Sequence, residues 1–166
     1  KVRDAGAAVS LSVPIEMNMR HGTPPIQKAL DLGIQPSLST DVECTLTADM
    51  FTQMRTAMAL QRMFVNATKL AEPGMPPTVA PLLTTRDVIG YATLNGARDL
   101  KLDAKVGSLT PGKEADILIL DAEAINVTPL NHVPGAVVSL MERSNVETVI
   151  VAGQVRKWKG RLLDVN

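Results

Sequence analysis

Hydrophobic and polar positions are arranged in three different ways along this chain, and each predicts a different kind of element. Residues 7–13, Ala-Ala-Val-Ser-Leu-Ser-Val, form a small, apolar run that predicts a buried strand. Pro14 closes it, since proline cannot continue a central ladder. Ile15 to Gly22 reads as a polar loop. Pro24 and Pro25 suit the first turn of a helix, where a missing N–H costs nothing. That helix is predicted to run from Pro25 to Leu32, with Gly33 as its stop. Ile34 to Leu38 predicts a second strand, ended by Ser39-Thr40-Asp41. Strand, loop, helix and strand at this spacing make a βαβ unit, so the two strands are expected to be parallel. Chemistry in such sheets gathers at the C-terminal ends of strands. Glu16 and Asp41 lie just past two such ends.

Residues 48–71 carry the clearest helical period. Met50, Phe51, Met54, Ala57, Met58, Phe64 and Val65 fall on one face, which predicts a packed core stripe. Glu72 to Pro81, with four prolines, reads as a loop. Thr84-Thr85-Arg86-Asp87 opens another helix with the pattern of a capping box. It is expected to break at Asn95-Gly96 and resume from Ala97 to Leu102. From Val106 the period becomes two. Ala115 to Asp121 predicts a strand, Glu147 to Ala152 and Val155 to Trp158 a hairpin around Gly153, and Arg161 to Leu163 a last short strand. The chain thus divides into an α/β portion, 1–105, and an antiparallel β portion, 106–166.

Charge and composition narrow the function classes. Seventeen basic and seventeen acidic side chains cancel, leaving no electrostatic footprint for nucleic acid or an anionic membrane. Four aromatic residues, Phe51, Phe64, Tyr91 and Trp158, are too few for a base-stacking platform. No apolar run approaches the ~18 residues of a membrane span. One cysteine forms no disulfide within the chain and suits a reducing cytoplasm. Together with two histidines it falls short of the four ligands of a structural zinc site. The start, Lys1-Val2-Arg3-Asp4, lacks the apolar core of a secretory signal.

Few residues offer chemistry. Asp41 follows a buried strand, where a carboxylate ligates metal or accepts a proton, or simply caps a turn. His21 sits in a Gly-flanked loop on the same predicted face, as does Glu16. His132 is expected to be a loop residue and Cys44 a small buried one. Asn66-Ala67-Thr68 and Asn126-Val127-Thr128 match the glycosylation pattern by chance. Neither a phosphate-binding glycine loop nor a nucleophile elbow is present.

Residues 84–121 contain Tyr-Ala-Thr-Leu-Asn-Gly-Ala, then Gly-Ser-Leu-Thr-Pro-Gly-Lys-Glu-Ala-Asp running into a strand. This closely resembles the C-terminal signature of the amidohydrolase superfamily. Residues 148–160 resemble its closing hairpin, and Ser37 to Glu43 resemble the end of its eighth barrel strand. Ser12-Val13-Pro14-Ile15-Glu16 with Arg20-His21-Gly22 is similar to the seventh-strand loop of the cytosine deaminase, triazine hydrolase and 8-oxoguanine deaminase group. The resemblance implies an α/β fold: a partial (β/α)8 barrel, its last strands and helices in 1–105, followed by the C-terminal part of a small β-sandwich in 106–166.

The implied chemistry is metal-assisted hydrolysis of a C–N bond, the deamination of a nucleobase- or triazine-like heterocycle. Asp41 takes the place of the family's metal ligand and proton shuttle, with Glu16 and His21 as substrate-binding groups. The divalent metal is zinc or iron in the parent enzyme. The His-x-His pair, the further histidines and the catalytic glutamate are missing, so this chain alone is expected to bind no catalytic metal and to be inactive. Its length of 166 residues then fits part of a larger enzyme. Open strand edges and exposed apolar surface lead to an expected homo-oligomer. A cyclic-amide hydrolase of the dihydropyrimidinase or imidazolonepropionase type is the alternative within the enzyme reading. A non-catalytic interaction module is the alternative outside it.

Overall fold

Leu11 and Leu38, both buried, stand opposite each other in a two-stranded parallel pair, β1 (Ser10–Leu11) and β2 (Ser37–Leu38). The Ser37 N–H donates to the Val9 carbonyl at 3.0 Å and the Ser39 N–H to the Leu11 carbonyl at 2.9 Å. The pair comes from a computed structural model, which describes residues 1–44, 46–71, 74 and 81–163. The expected parallel βαβ order is found, with shorter strands than the apolar runs suggest. Ala7 and Ala8 are exposed and unladdered.

Two helices separate these strands. The expected loop after Pro14 is in fact α1 (Val13–Asn18), because Pro14 lies in its first turn, where proline is at home. Val13 and Ile15 are buried beneath it. α2 (Ile26–Asp31) matches expectation and buries Ile26 and Ala29. Beyond β2 comes α3 (Met50–Leu70), within two residues of its predicted bounds. Phe51, Met54, Ala57, Leu60 and Val65 are buried along it, with Met50, Met58 and Phe64 packed at the margin. The methionine-rich stripe is therefore core. The buried Gln61 on the same helix donates to Gln27 and to the Pro81 carbonyl and accepts from the Leu83 N–H. The loop expected over 72–81 falls almost wholly outside the described residues.

α4 (Thr85–Tyr91) begins with the capping box its sequence announced: Thr84 and Asp87 each accept the other's backbone N–H. Its continuation differs from expectation. The break comes at Ala92-Thr93, and α5 (Leu94–Asp99) runs straight through Asn95-Gly96. Asn95 is buried there and donates to the Pro36 carbonyl at 2.9 Å, so a turn-former serves as a bolt between α5 and the approach to β2. Val106 to Ser108, where the period of two begins, are bends.

The rest of the chain builds a four-stranded antiparallel sheet in the order β3 (Ile117–Leu120), β4 (Val146–Val151), β5 (Gln154–Trp158), β6 (Arg161–Leu162). The Pro-Gly-Lys-x-Ala-Asp run is a fastening. The Lys113 ammonium donates to the carbonyls of Asp103 and Val106, and the Asp116 carboxylate accepts the Ala152 N–H. One element here was not foreseen. α6 (Val133–Ser139) stands where an all-β reading expected a loop. Pro134 sits in its first turn, and His132, expected as a plain loop residue, caps it by accepting the Gly135 N–H on Nδ1 at 3.0 Å. α6 packs on α3 and α4. Arg55 of α3 donates to the carbonyls of Val138 and Met141 at 3.0 and 2.8 Å.

Candidate active site

The parallel pair fixes the place of the candidate residues. In β1 and β2 the chain leaves the sheet at the same end, toward Glu16 and Asp41 respectively. Asp41 is exposed and adopts the left-handed backbone conformation, φ +55°. Its N–H donates to Ser39 Oγ at 3.2 Å. Asparagine and aspartate visit this region more readily than other L-residues, yet it still favours glycine.

Glu16 is half-buried on α1 and accepts the Ser12 N–H on Oε1 at 2.8 Å. That bond satisfies one of the unpaired donors at the start of α1 and leaves Oε2 free of it. His21 is exposed in the loop after α1. No hydrogen bond or ion pair joins Asp41, Glu16 and His21 among the described residues. Cys44 is exposed, contrary to the buried role expected of it.

Asp49 starts α3 downstream of Asp41 and takes both the Thr52 N–H and the Thr52 hydroxyl, at 2.7 and 2.8 Å. Burial pushes its carboxyl pKa up, but these bonds, Thr47 and the Arg143 charge together hold it below the usual carboxylate value. Asp49, Thr52, Arg55, Glu142 and Arg143 line a cavity of about 320 Å³. A second cavity of about 600 Å³ lies between α4, α5 and the approach to β3. Neither includes Asp41, Glu16 or His21.

Metal chemistry needs more than this chain's described residues offer. They include no group of three or more His, Cys, Asp and Glu side chains that could hold a metal ion. A catalytic zinc takes about three protein ligands and an open position. Asp41 alone does not fit that requirement.

The sequence profile of the amidohydrolase family matches residues 4–156. This chain belongs to the amidohydrolase family. Among relatives, the 5'-deoxyadenosine deaminase of Methanothermobacter thermautotrophicus is 35% identical over 155 residues, 93% of this chain and 33% of that protein. The 5-methylthioadenosine/S-adenosylhomocysteine deaminase of Moorella thermoacetica is 30% identical over 147 residues, 88% of this chain and 32% of that protein. The zinc-bound adenosine deaminase structure from Xanthomonas campestris superposes with a TM-score of 0.85 at 26% identity, covering 99% of this chain and 35% of that one. Escherichia coli guanine deaminase shares the fold, with a TM-score of 0.72 at 17% identity over 90% of this chain and 33% of that one. The chain spans about a third of the length of the curated relatives it matches. The α/β fold of these family members is the fold found here. No helix among the described residues is long and apolar enough to cross a membrane.

One participant escaped the sequence reading. The sequence marks Ser39 only as the end of a strand, yet its hydroxyl accepts the Asp41 N–H. A Ser two residues before an Asp is the available signal, since a serine hydroxyl often accepts the N–H two positions on.

Proposed function

We propose that this chain carries the proton-handling end of a hydrolytic deaminase acting on an adenine-like or related heterocycle. The single observation behind the reading is the position of Asp41. It is a carboxylate three residues beyond a buried parallel strand, at the end of the sheet toward which Glu16 also lies. In this reading Asp41 accepts a proton from water attacking the amino-bearing carbon and returns it to the departing ammonia. Glu16, through the oxygen not held by Ser12, and His21 bind the heterocycle.

The deaminases to which the chain is similar support the substrate class, and the zinc bound in the Xanthomonas campestris enzyme supports a divalent metal, zinc or iron, in the complete enzyme. The remaining ligands then come from polypeptide outside these 166 residues. Residues 1–105 act as the last strands and helices of the barrel and 106–166 as part of a β-sandwich. The chain by itself binds no catalytic metal, self-associates, and works in the cytoplasm. Metal analysis and ammonia release test this. The isolated chain is expected to hold no stoichiometric zinc or iron and to release no ammonia from adenosine, 5'-deoxyadenosine or cytosine. A polypeptide extended upstream in the same reading frame is expected to do both, and to lose turnover on Asp41→Asn. Turnover that survives Asp41→Asn overturns the assignment.

A further inference from the structure

We propose that Ser39 is the positioning residue of Asp41. The inference rests on the proton-carrying role proposed for Asp41, but its geometry stands independently. Ser39 is held at both ends. Its backbone N–H closes the parallel ladder on the Leu11 carbonyl at 2.9 Å, which fixes it to β1. Its hydroxyl oxygen accepts the Asp41 N–H at 3.2 Å. Asp41 meanwhile keeps φ at +55°, a left-handed conformation that is uncommon for L-residues and that aspartate adopts as a single residue. A side chain that bonds the N–H two residues on supports such a conformation locally.

The consequence is a rigid line from the sheet to the carboxylate. The ladder locks Ser39, Ser39 Oγ locks the Asp41 amide, and the left-handed φ sets the direction in which the Cα–Cβ bond of Asp41 leaves the strand end. Without the hydroxyl the residue is free to relax to negative φ, which swings the carboxylate away from that direction. A proton carrier works only when held within hydrogen-bond reach of its partner. Thr40 lies between the two and makes no side-chain hydrogen bond among those described, so the role falls to Ser39.

Nuclear magnetic resonance of the isotope-labelled chain tests this, using residual dipolar couplings and carbon shifts at residue 41. In the unmodified chain the Asp41 amide is expected to exchange with solvent more slowly than those of Thr40 and Val42. An unprotected Asp41 amide overturns the proposal without any variant. In Ser39→Ala the dihedral at residue 41 is expected to leave the left-handed region, while the Ser39 amide stays protected by Leu11. Ser39→Thr, which keeps a hydroxyl at the same place, is expected to restore both the dihedral and the protection of the Asp41 amide. An Asp41 that stays left-handed in Ser39→Ala, or is not restored by Ser39→Thr while the ladder is intact, sinks the proposal. These readouts are conformational, and ammonia release tests the chemistry of Asp41 separately.

Discussion

The Asp116 carboxylate accepts the backbone N–H of Ala152 at 2.8 Å, tying the entry of β3 to the turn of the β4–β5 hairpin 36 residues away. The Gly153 N–H reinforces it by donating to the Ala115 carbonyl at 3.0 Å. The family's Ala-Asp pair therefore secures the sheet at its turn. Asp116→Ala is expected to cost about 1 kcal/mol, the ordinary net worth of one such bond. A urea midpoint unchanged from the parent chain would contradict the fastening.

The start of α4 gives a second test. Thr84 and Asp87 cap each other's backbone, with Thr84 Oγ1 accepting the Asp87 N–H at 3.3 Å and Asp87 accepting the Thr84 N–H at 2.8 Å. Thr84→Ala is expected to lower stability by about 1 kcal/mol. Thr84→Ser is expected to retain most of it, as read from thermal unfolding of the two variants side by side.

Gly107 offers a steric test. It sits at φ +88°, and a Cβ built there would lie 2.6 Å from the Ala97 Cβ and 3.2 Å from the Leu94 Cα of α5. The first contact is between two short, rigid groups and the second is with backbone, so the loop must move. Gly107→Ala is expected to cost about 2 kcal/mol or more, from overpacking and the left-handed backbone together. Gly112→Ala, at φ +92° with open space around it, isolates the backbone part alone. Chemical denaturation of both variants separates the two causes.

Alkaline stability should report on Tyr91. Burial, and then the Asp87 charge, push its phenol pKa up to about 12. In the unfolded chain the phenol titrates near about pH 10. The folded form thus binds the proton more tightly, and its contribution is complete below pH 10. It is lost as the pH climbs from there through about 12. Tyr91→Phe is expected to remove that part of the alkaline slope, while forfeiting the hydrogen bond to Gln35 at every pH. Denaturant midpoints across the alkaline range, paired with the variant, check both.

How far the sequence spoke depended on which force decided each element. α3 was legible because a long apolar stripe and its burial agree, and α4 because a capping box is a local interaction. The parallel pairing of β1 and β2 followed from connection length alone. The failures come where one residue type serves two ends. Pro14 reads as the end of a strand, yet it sits in the first turn of α1, as Pro134 does in α6. Asn95 reads as a breaker, and a long-range bond to Pro36 holds it inside α5. Asp41 was legible as a carboxylate at a strand end. Its left-handed backbone and its tie to Ser39 were not, since neither leaves a periodic trace.

The Arg55 guanidinium bridges 83 and 86 residues of sequence to reach the carbonyls of Val138 and Met141. Unlike the neighbour-to-neighbour bonds of a hairpin, this contact closes a loop of about half the chain. The entropy lost in closing that loop is offset only by contacts made when both portions are in place. The two portions should accordingly melt together, and a protease nick in the exposed turn at Pro111-Gly112 should leave two pieces that still travel as one particle. A swap of the β portion between relatives would have to meet an arginine at position 55 of α3, since the acceptors at the end of α6 are backbone carbonyls.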